Sequence, residues 1–374
     1  MTGKELFSRF EAVAADPRGQ LDGYLAQGKK VVLCAPLYTP EELVDAMGAV
    51  PMAIWGADRQ LKDAKRYFPA FICSIVQSCV ELGMNGVYDG ASAVLIPHLC
   101  DSLKVMGENW KYAVPSIPYI PVTLPQNRKP DYALDYTLAS YRRIIADLER
   151  ILGVAFEEEK LRESLRVYNE HNALMGRFRL CCVRHGEISA VERAAVYKSA
   201  QFMPKAEHSA LLRQLLDALE TESGQGGKLP IVITGILADA PSLLRALDEN
   251  GLQIVADDVA AETRQYKTDA PTEGEPLRAL AEKFRRRDNC SLLYDPKKGR
   301  VEALRRLAEE SGAKGVLLLL TKFCDPEEFD APALRRACEE AGLVFAEIEV
   351  DRQTEDHGQA ATAIETFREM LRER

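Results

Sequence analysis

Short apolar runs alternate with amphipathic segments in two regions of the chain. In the first region, runs typical of buried strands cover residues 29–38, 50–56, 92–101 and 116–124. In the second region, similar runs cover residues 229–236, 252–257, 315–320 and 343–350. Segments with helical spacing separate the runs, and this alternation is typical of a parallel sheet with helices on both faces. The pattern therefore predicts an α/β fold with two Rossmann-like parallel-sheet lobes.

Between these regions the hydrophobic spacing changes to the helical period of about 3.6 residues. The polar, glycine-rich stretch SGQGGK (223–228) ends this part of the chain. Two lobes joined by a helical segment suit 374 residues, since a domain has about 100–200 residues. The predicted units are N-terminal helices at 1–28, a first α/β lobe at 29–130, a helical segment at 131–225 and a second α/β lobe at 226–374.

Charge and hydropathy narrow the class of protein. The net charge of −9 argues against a large nucleic-acid interface, which needs a basic surface. No apolar run approaches the roughly 18 residues that a membrane span needs. The first residues, MTGKELFSRFEAVAAD, carry scattered charges and lack the apolar centre of a signal peptide. We therefore expect a cytoplasmic protein.

Two segments place a Cys-Asp pair directly after an apolar strand. They read VLIPHLCDSLKVM, with Cys100, and LLLLTKFCDPEEF, with Cys324. In open α/β sheets, ligands bind beyond the carboxyl ends of the strands, and a helix that starts there favours anions and lowers thiol pKa values. The two lobes are therefore predicted to present Cys100 and Cys324 at equivalent positions.

The chain has nine cysteines and no CxxC pair, so zinc-ribbon spacing is absent. A third thiol beside Cys100 and Cys324 would make an iron–sulfur cluster feasible, although buried free cysteines are a common alternative. Cys73 and Cys79 compete for that place, because at about 100° per residue they lie about 240° apart on a predicted helix. Cys73, near the helix start, is the predicted ligand, and Cys79 is predicted to pack. Cys34 is a reserve candidate, and the cysteines predicted to be structural are Cys181, Cys182, Cys290 and Cys338.

Several common catalytic motifs are absent from the sequence. There is no G-x-x-x-x-G-K-[ST] loop, no G-x-G-x-x-G after a strand and no G-x-S-x-G. The sequence thus shows no sign of ATP hydrolysis or of conventional dinucleotide binding by this chain. The histidines lack metal-ligand spacing, and His98 is the strongest candidate for a chemical role among His98, His171, His185, His208 and His357.

Two polar segments have more than one interpretation. In PQNRKP, Arg128 or Lys129 binds an anionic group, or the segment is a charged turn. The segment VADDVAAETRQYKTDAP is either a solvated loop or a loop that lines a site or a subunit interface. Its charged residues include Asp257, Asp258, Glu262, Arg264 and Lys267.

Collinear blocks along almost the whole chain resemble the (R)-2-hydroxyacyl-CoA dehydratases, specifically their smaller, beta-type subunit. The blocks include KKVVLCAPLYTPEELVDAMGAVPMAIWG, RYFPAFICSIVQSC, HLCDSLK, LPQNRKP, VYNEHNALM, VITGILAD, YDPKKGR, TKFCDPEEFD and IEVDRQT. The chain is similar to subunits that act on 2-hydroxyisocaproyl-, phenyllactoyl- or lactoyl-CoA, and less so to the 2-hydroxyglutaryl type. It departs from the family at Leu124, where the corresponding block begins with histidine.

The resemblance implies a heterodimer with an alpha-type subunit, in which each subunit holds an oxygen-sensitive [4Fe–4S] cluster by three cysteines. By motif these are Cys73, Cys100 and Cys324, in a site between the two lobes. The fourth iron has no protein cysteine and binds a small exogenous ligand in the beta-type subunit, while the cluster relays an electron. The resemblance assigns no catalytic residue to this subunit.

The reaction implied by the resemblance is radical elimination of water from an acyl-CoA substrate. A separate ATP-dependent iron–sulfur activator protein injects one low-potential electron. The reduced thioester, a ketyl radical, expels the α-hydroxyl group, and loss of the β-proton and of the electron gives a 2-enoyl-CoA. Two other hypotheses stay open, a benzoyl-CoA-reductase-like subunit and a non-catalytic two-lobed binding or assembly protein.

Overall fold

The structure is a computed structural model that describes residues 1–58, 60–221, 224, 226–353 and 358–373. Within these residues the chain forms two four-stranded parallel sheets with helices around them. The predicted α/β fold in two lobes is therefore confirmed. Part of the polar, glycine-rich stretch 223–228 and one candidate histidine, His357, lie outside the described residues.

The two sheets have the same strand order. The first is ordered β2-β1-β3-β4 and the second β6-β5-β7-β8, with every pair parallel. In each sheet the order reverses beside the first strand, and ligands bind in the crevice beyond such a switch point. The strands are β1 (Val31–Cys34), β2 (Val50–Ala53), β3 (Ala93–Pro97), β4 (Tyr119–Val122), β5 (Leu229–Gly235), β6 (Leu252–Val259), β7 (Gly315–Thr321) and β8 (Val344–Val350).

The central strands are apolar because both faces of each sheet are covered. In β1, Val32 packs into a buried cluster on one face, and Leu33 packs into a different cluster on the other. In β7, Leu317 and Leu318 divide between two clusters in the same way. Strands buried on both faces are continuously apolar in sequence, which is why these runs could be recognised.

Helices occupy the connections between strands and the whole region between the two sheets. A capping box starts one of them, in which the Ser189 hydroxyl accepts from the backbone of Glu192 and the Glu192 carboxylate accepts from the backbone of Ser189. The helices are α1 (Gly3–Ala15), α2 (Pro17–Ala26), α3 (Glu41–Ala46), α4 (Ser74–Met84), α5 (Asp101–Ala113), α6 (Asp131–Leu152), α7 (Glu158–Arg184), α8 (Ala190–Ser199), α9 (Lys205–Thr221), α10 (Pro241–Glu249), α11 (Pro276–Arg286), α12 (Gly299–Ser311), α13 (Asp325–Glu340) and α14 (Gly358–Arg372).

The lobes and the helical region share one hydrophobic core. A single buried cluster contains Leu95 of β3, Leu148 of α6 and Leu280 of α11. The helices α6 and α7 therefore pack against both lobes and do not form a separate linker. The exact unit boundaries after residues 28, 130 and 225 stay a prediction.

Arg128 connects the two lobes and is not available to an anion. It follows β4, is almost fully buried, and donates to the carbonyl oxygens of Arg287 at 2.6 Å and Tyr294 at 2.9 Å. A third donor binds the Asp288 carboxylate at 2.6 Å. An anion-binding role for Arg128 is therefore wrong, because carbonyls and a carboxylate of the second lobe occupy its donors.

No helix within the described residues is long and apolar enough to cross a membrane.

Gly235, the last residue of β5, is predicted to be irreplaceable for steric reasons. Its φ is 147°, and a Cβ there would lie 2.4 Å from the carbonyl oxygen of Leu319 in β7. Gly235→Ala should lower the free energy of unfolding by about 1–3 kcal/mol, measured by denaturant titration. Gly176→Ala is the control, since that exposed site in α7 is open and alanine should raise stability there by about 0.5–1 kcal/mol. Equal effects of the two substitutions would contradict the steric argument.

Candidate functional site

A cavity of about 120 Å³ lies between the lobes, and four thiols line it. Three belong to the predicted site residues Cys73, Cys100 and Cys324, and the fourth is Cys79. Apolar side chains such as Val76 form most of the wall. The structure thus brings the three predicted cysteines together from distant parts of the sequence.

Each of the three predicted cysteines stands at the N-terminus of a helix. Cys73 is the N-cap residue of α4, Cys100 that of α5 and Cys324 that of α13. Backbone N–H groups in the first turn of each helix lie beside its cysteine and lower the pKa of that thiol. Three helix dipoles therefore direct their positive ends towards the thiols, an arrangement that stabilises negative charge.

A tight turn places Cys324 after β7. Phe323 has a φ of 60°, in the left-handed region that bulky side chains rarely adopt. The turn lets the Cys324 N–H donate to the Thr321 carbonyl at 3.0 Å, so that α13 begins immediately afterwards. The backbone N–H of Ser74 donates to the Lys322 carbonyl at 3.4 Å, which joins the segments of Cys73 and Cys324 across the two lobes.

Burial keeps the thiols uncharged in the absence of a cation. It raises the pKa of Cys73 to about 12, although the backbone N–H groups of Ile75 and Val76 oppose this. Burial also raises the pKa of Cys100 and of Cys324. For Cys324, repulsion from the Cys73 thiolate acts in the same direction. The three thiolates would thus repel one another unless positive charge stood among them.

The prediction that Cys73 and Cys79 point in different directions requires both residues to lie in one helix. In the structure, the helix starts after Cys73. The helix begins at Ser74, so Cys73 has φ −45° and ψ 126° outside it, and the 100° rule does not relate the two residues. Cys79 packs in a buried cluster, as predicted, and also lines the same cavity as Cys73, so the choice of Cys73 as the ligand stays a prediction. Cys79 and Tyr88 belong to the same buried cluster.

The remaining cysteines lie outside the wall of this cavity. Cys34, the reserve candidate, is buried at the end of β1, and its thiol donates to the Val32 carbonyl at 3.8 Å. Cys290 is buried in a loop, where its sulfur accepts from Arg264 at 3.4 Å. Within the described parts of the chain, no three His, Cys, Asp or Glu side chains are close enough to hold a single metal ion.

Cys324 is anchored by a buried ionic network behind α13. Glu327, in the first turn, accepts from Arg300 at 2.8 Å, and Arg300 also donates to Asp258 at 2.9 Å. Arg264 donates to the same Asp258 carboxylate at 2.9 Å. Burial alone would raise the pKa of Asp258, but the two guanidinium groups outweigh it and hold the pKa well below its usual range. The solvated-loop interpretation of residues 255–271 is therefore wrong, since their main charges lie in this interior.

Arg352 and Asp239 add a polar group to the cavity wall. Arg352, beyond β8, binds Asp239, and it donates to Asp58 of the first lobe at 2.7 Å. Lys198 of α8 also pairs with Asp239, at 3.3 Å. Burial alone would raise the pKa of Asp239, but Arg352 and Lys198 lower it to about 2.

The sequence is similar to known proteins along almost its whole length. A family model described as 2-hydroxyglutaryl-CoA dehydratase, D-component, matches residues 36–371. This chain belongs to that D-component family.

The (R)-phenyllactyl-CoA dehydratase beta subunit of Clostridium sporogenes is 42% identical over 372 residues, which cover 98% of this chain and 99% of the relative. The lactoyl-CoA dehydratase subunit beta of Anaerotignum propionicum is 39% identical over 372 residues, or 98% of each chain. A subunit of the benzoyl-CoA reductase of Thauera aromatica is 27% identical over 322 residues, or 83% of each chain.

In this member of the D-component family, several residues of the cavity wall gave no signal in the sequence. Tyr197 and Lys198 come from a helix of the region between the sheets, where no motif marks them. Asp239 could have been found, because it follows β5 at the carboxyl edge of the sheet. His98, the strongest histidine candidate, bonds through its ring to the Tyr119 hydroxyl at 2.6 Å and does not line the cavity.

Replacement of Arg352 is expected to destabilise the protein in a pH-dependent way. Arg352→Met should cost about 1–3 kcal/mol of unfolding free energy at pH 7, because the half-buried Asp239 would keep only Lys198 as a charged partner among the described residues. The folded-state pKa of Asp239 is about 2 and its ordinary value 3.8, so its stabilising effect is present above that value and lost as the pH falls towards 2. The difference between wild type and variant should therefore shrink from about pH 4 to pH 2 in denaturant titrations.

The control is Arg150→Met, which removes an exposed partner of Asp147 within α6. It should change stability by less than about 1 kcal/mol at every pH. A loss for Arg352→Met that stayed constant down to pH 2 would show that its ionic contact with Asp239 is not the cause.

Proposed function

We propose that this chain is the beta-type subunit of an (R)-2-hydroxyacyl-CoA dehydratase, a hydro-lyase that eliminates water to give a 2-enoyl-CoA. The observation that carries the proposal is the end-to-end similarity to the beta subunits of two such dehydratases. The benzoyl-CoA reductase subunit is less similar and matches a smaller share of the chain, which favours dehydration over ring reduction. A beta subunit acts with a partner, so we propose an alpha-type subunit as the second half of the enzyme.

The residues of the cavity fit an iron–sulfur cluster. Thiolates are the usual ligands of such clusters, and Cys73, Cys100 and Cys324 enter the same cavity from three helix N-termini. Each thiolate of a [4Fe–4S] cluster binds a different iron, so its ligands stand farther apart than those of one ion. Three thiols that line one cavity suit this pattern, and we propose Cys73, Cys100 and Cys324 as the cluster ligands. A bound cluster supplies one-electron transfer at low potential.

The protein around the cluster would hold negative charge and exclude water. Thiolates carry negative charge, which the ends of α4, α5 and α13 stabilise. The apolar wall keeps the site dry, and this strengthens each electrostatic contact within it. Because burial raises the three thiol pKa values, metal binding must displace a proton from each thiol and becomes weaker as the pH falls.

The proposed activator is a separate protein. The chain lacks a phosphate-binding loop of the G-x-x-x-x-G-K-[ST] type, so ATP hydrolysis would belong to another component. In this division of labour the present subunit accepts an electron and passes it to the alpha-type subunit, where the acyl-CoA reacts.

Iron analysis tests the ligand assignment. Cys73→Ser, Cys100→Ser and Cys324→Ser should each remove most of the iron and acid-labile sulfide from anaerobically purified protein, because serine replaces a thiolate ligand. Cys338→Ser is the matched control, since that thiol is equally buried in α13 but lies outside the cavity. Wild-type protein without iron, or equal iron loss in Cys338→Ser, would contradict the assignment.

Activity measurements test the reaction. The chain, its alpha-type partner, the activator and ATP should together convert (R)-phenyllactyl-CoA or lactoyl-CoA to the corresponding enoyl-CoA, followed by mass spectrometry. Omission of any component should abolish turnover. Reduction of benzoyl-CoA without dehydration of either hydroxyacyl-CoA would instead favour the reductase function.

A further inference from the structure

The cysteine cavity has an acidic residue in its wall that the proposed function does not use. Glu262 lies just beyond β6, is 4% exposed, and lines the cavity together with the three proposed ligand cysteines. Tyr197 of α8 lines it as well. A buried carboxyl group beside a site that holds charge calls for an explanation, since burial favours its uncharged form.

Glu262 shares its hydrogen-bond donor, the Arg193 guanidinium, with the carboxylate of Asp257. Arg193 donates to Glu262 at 2.6 Å and, through its other terminal nitrogen, to Asp257. Asp257 accepts further bonds from the backbone N–H of Val259 at 3.1 Å and from the Thr263 hydroxyl at 2.7 Å. Within the described part of the chain, the Glu262 carboxylate accepts only from Arg193. One guanidinium therefore faces two carboxylates, and Glu262 is the less stabilised of the two.

The surroundings of Glu262 favour proton binding near neutral pH. Burial raises its pKa to about 7; Arg193 opposes this rise, and the negative charge of Asp257 adds to it. Asp239 contributes a smaller effect in the same direction. The ionisable groups that face Glu262 come from α7, α8, the β5 loop, β6 and the turn after β6, and they are Cys182, Arg193, Tyr197, Asp239, Asp257 and Tyr266.

Tyr197 provides a second, independent sign that this end of the cavity interacts with something inside it. Its hydroxyl is buried and has no hydrogen-bond partner in the structure. Its ring lies over the Arg193 guanidinium, with 4.7 Å between the guanidinium carbon and the ring centroid. Burial raises the pKa of Tyr197 well above its usual range, so the hydroxyl stays a donor at neutral pH. An unsatisfied buried donor is costly, so we expect the hydroxyl to donate to a water molecule or to another group held at this end of the cavity.

We propose that Glu262 is a proton-binding residue whose protonation follows the charge held in the cysteine cavity, an inference that rests on the proposed function. When one electron enters the cavity from a low-potential one-electron donor protein, one proton from water binds a carboxylate oxygen of Glu262. When the electron leaves, that O–H bond breaks and the proton returns to water. The net charge of the cavity then changes little. Less free energy is therefore needed to place the electron in an apolar interior.

The first test uses cluster-free protein and does not depend on the proposed function. Carbon-13 NMR of protein labelled in its glutamate carboxyl groups should show one carboxyl that titrates near pH 7, far above the other glutamates. That signal should be missing from Glu262→Gln and unchanged in Glu249→Gln, an exposed residue of α10 in the same lobe. The absence of such a signal from folded wild-type protein would overturn the proposal.

The second test measures the coupling itself. The cluster-loaded chain is titrated with dithionite at a series of pH values, and the midpoint potential is read from its electron paramagnetic resonance spectrum. In wild type and in Glu249→Gln the potential should become more negative as the pH rises above the Glu262 pKa of about 7, with a slope that approaches about 59 mV per tenfold change in proton activity. In Glu262→Gln, which cannot ionise, this slope should be lost.

A conservative variant separates proton binding from structural damage. Glu262→Asp keeps an ionisable group and should retain a slope, even if its potential shifts. An unchanged slope in Glu262→Gln, or its loss in both variants, would overturn the proposal. Iron-free wild-type protein would contradict the proposed function, whereas the glutamate titration decides on proton binding by Glu262 independently.

Discussion

The candidate site depends on buried arginines that hold the two lobes in one orientation. Arg352 reaches from the second lobe to Asp58 of the first, and Arg128 reaches from the first lobe to backbone carbonyls of the second. Ionic groups removed from water are stabilising only when each charge keeps good partners, so these contacts tolerate little relative movement. Because Cys73 and Cys324 come from different lobes, a fixed orientation is what gives the cavity a defined shape.

Topology accounts for where the cavity lies. Both sheets share one strand order, and in each the connection after the third strand of the lobe starts a helix at a cysteine. The carboxyl edges of the sheets face each other, so several helix and loop termini can contribute side chains to a small volume. The remaining wall comes from α8, whose Tyr197 and Lys198 bring polar groups into an otherwise apolar space. The site is therefore a property of the assembled chain and not of either lobe.

Sequence reasoning succeeded where local pattern decides the structure. Apolar runs located all eight strands of the described chain, and the Cys-Asp pairs located Cys100 and Cys324 because strand ends define such positions. It failed on the helix start, because α4 begins after Cys73 and the assumed angle between Cys73 and Cys79 does not apply. It misread Arg128, because the carbonyls that bind it are about 160 positions away along the chain and leave no local trace. Burial of Asp258 was hidden because one of its two arginine partners, Arg300, is 42 positions away.

The left-handed backbone at Phe323 has a consequence for how the thiols acquire their positions. A bulky residue in this conformation costs about 1–3 kcal/mol, which an isolated peptide has no means to offset. Here the offset comes from tertiary contacts, among them the bond from Ser74 to Lys322 and the ion pair between Arg300 and Glu327. A fragment that spans β7 and α13 would thus relax at this turn and release Cys324. The pre-arranged trio of thiols exists only once both lobes have folded together, which makes it a late product of folding.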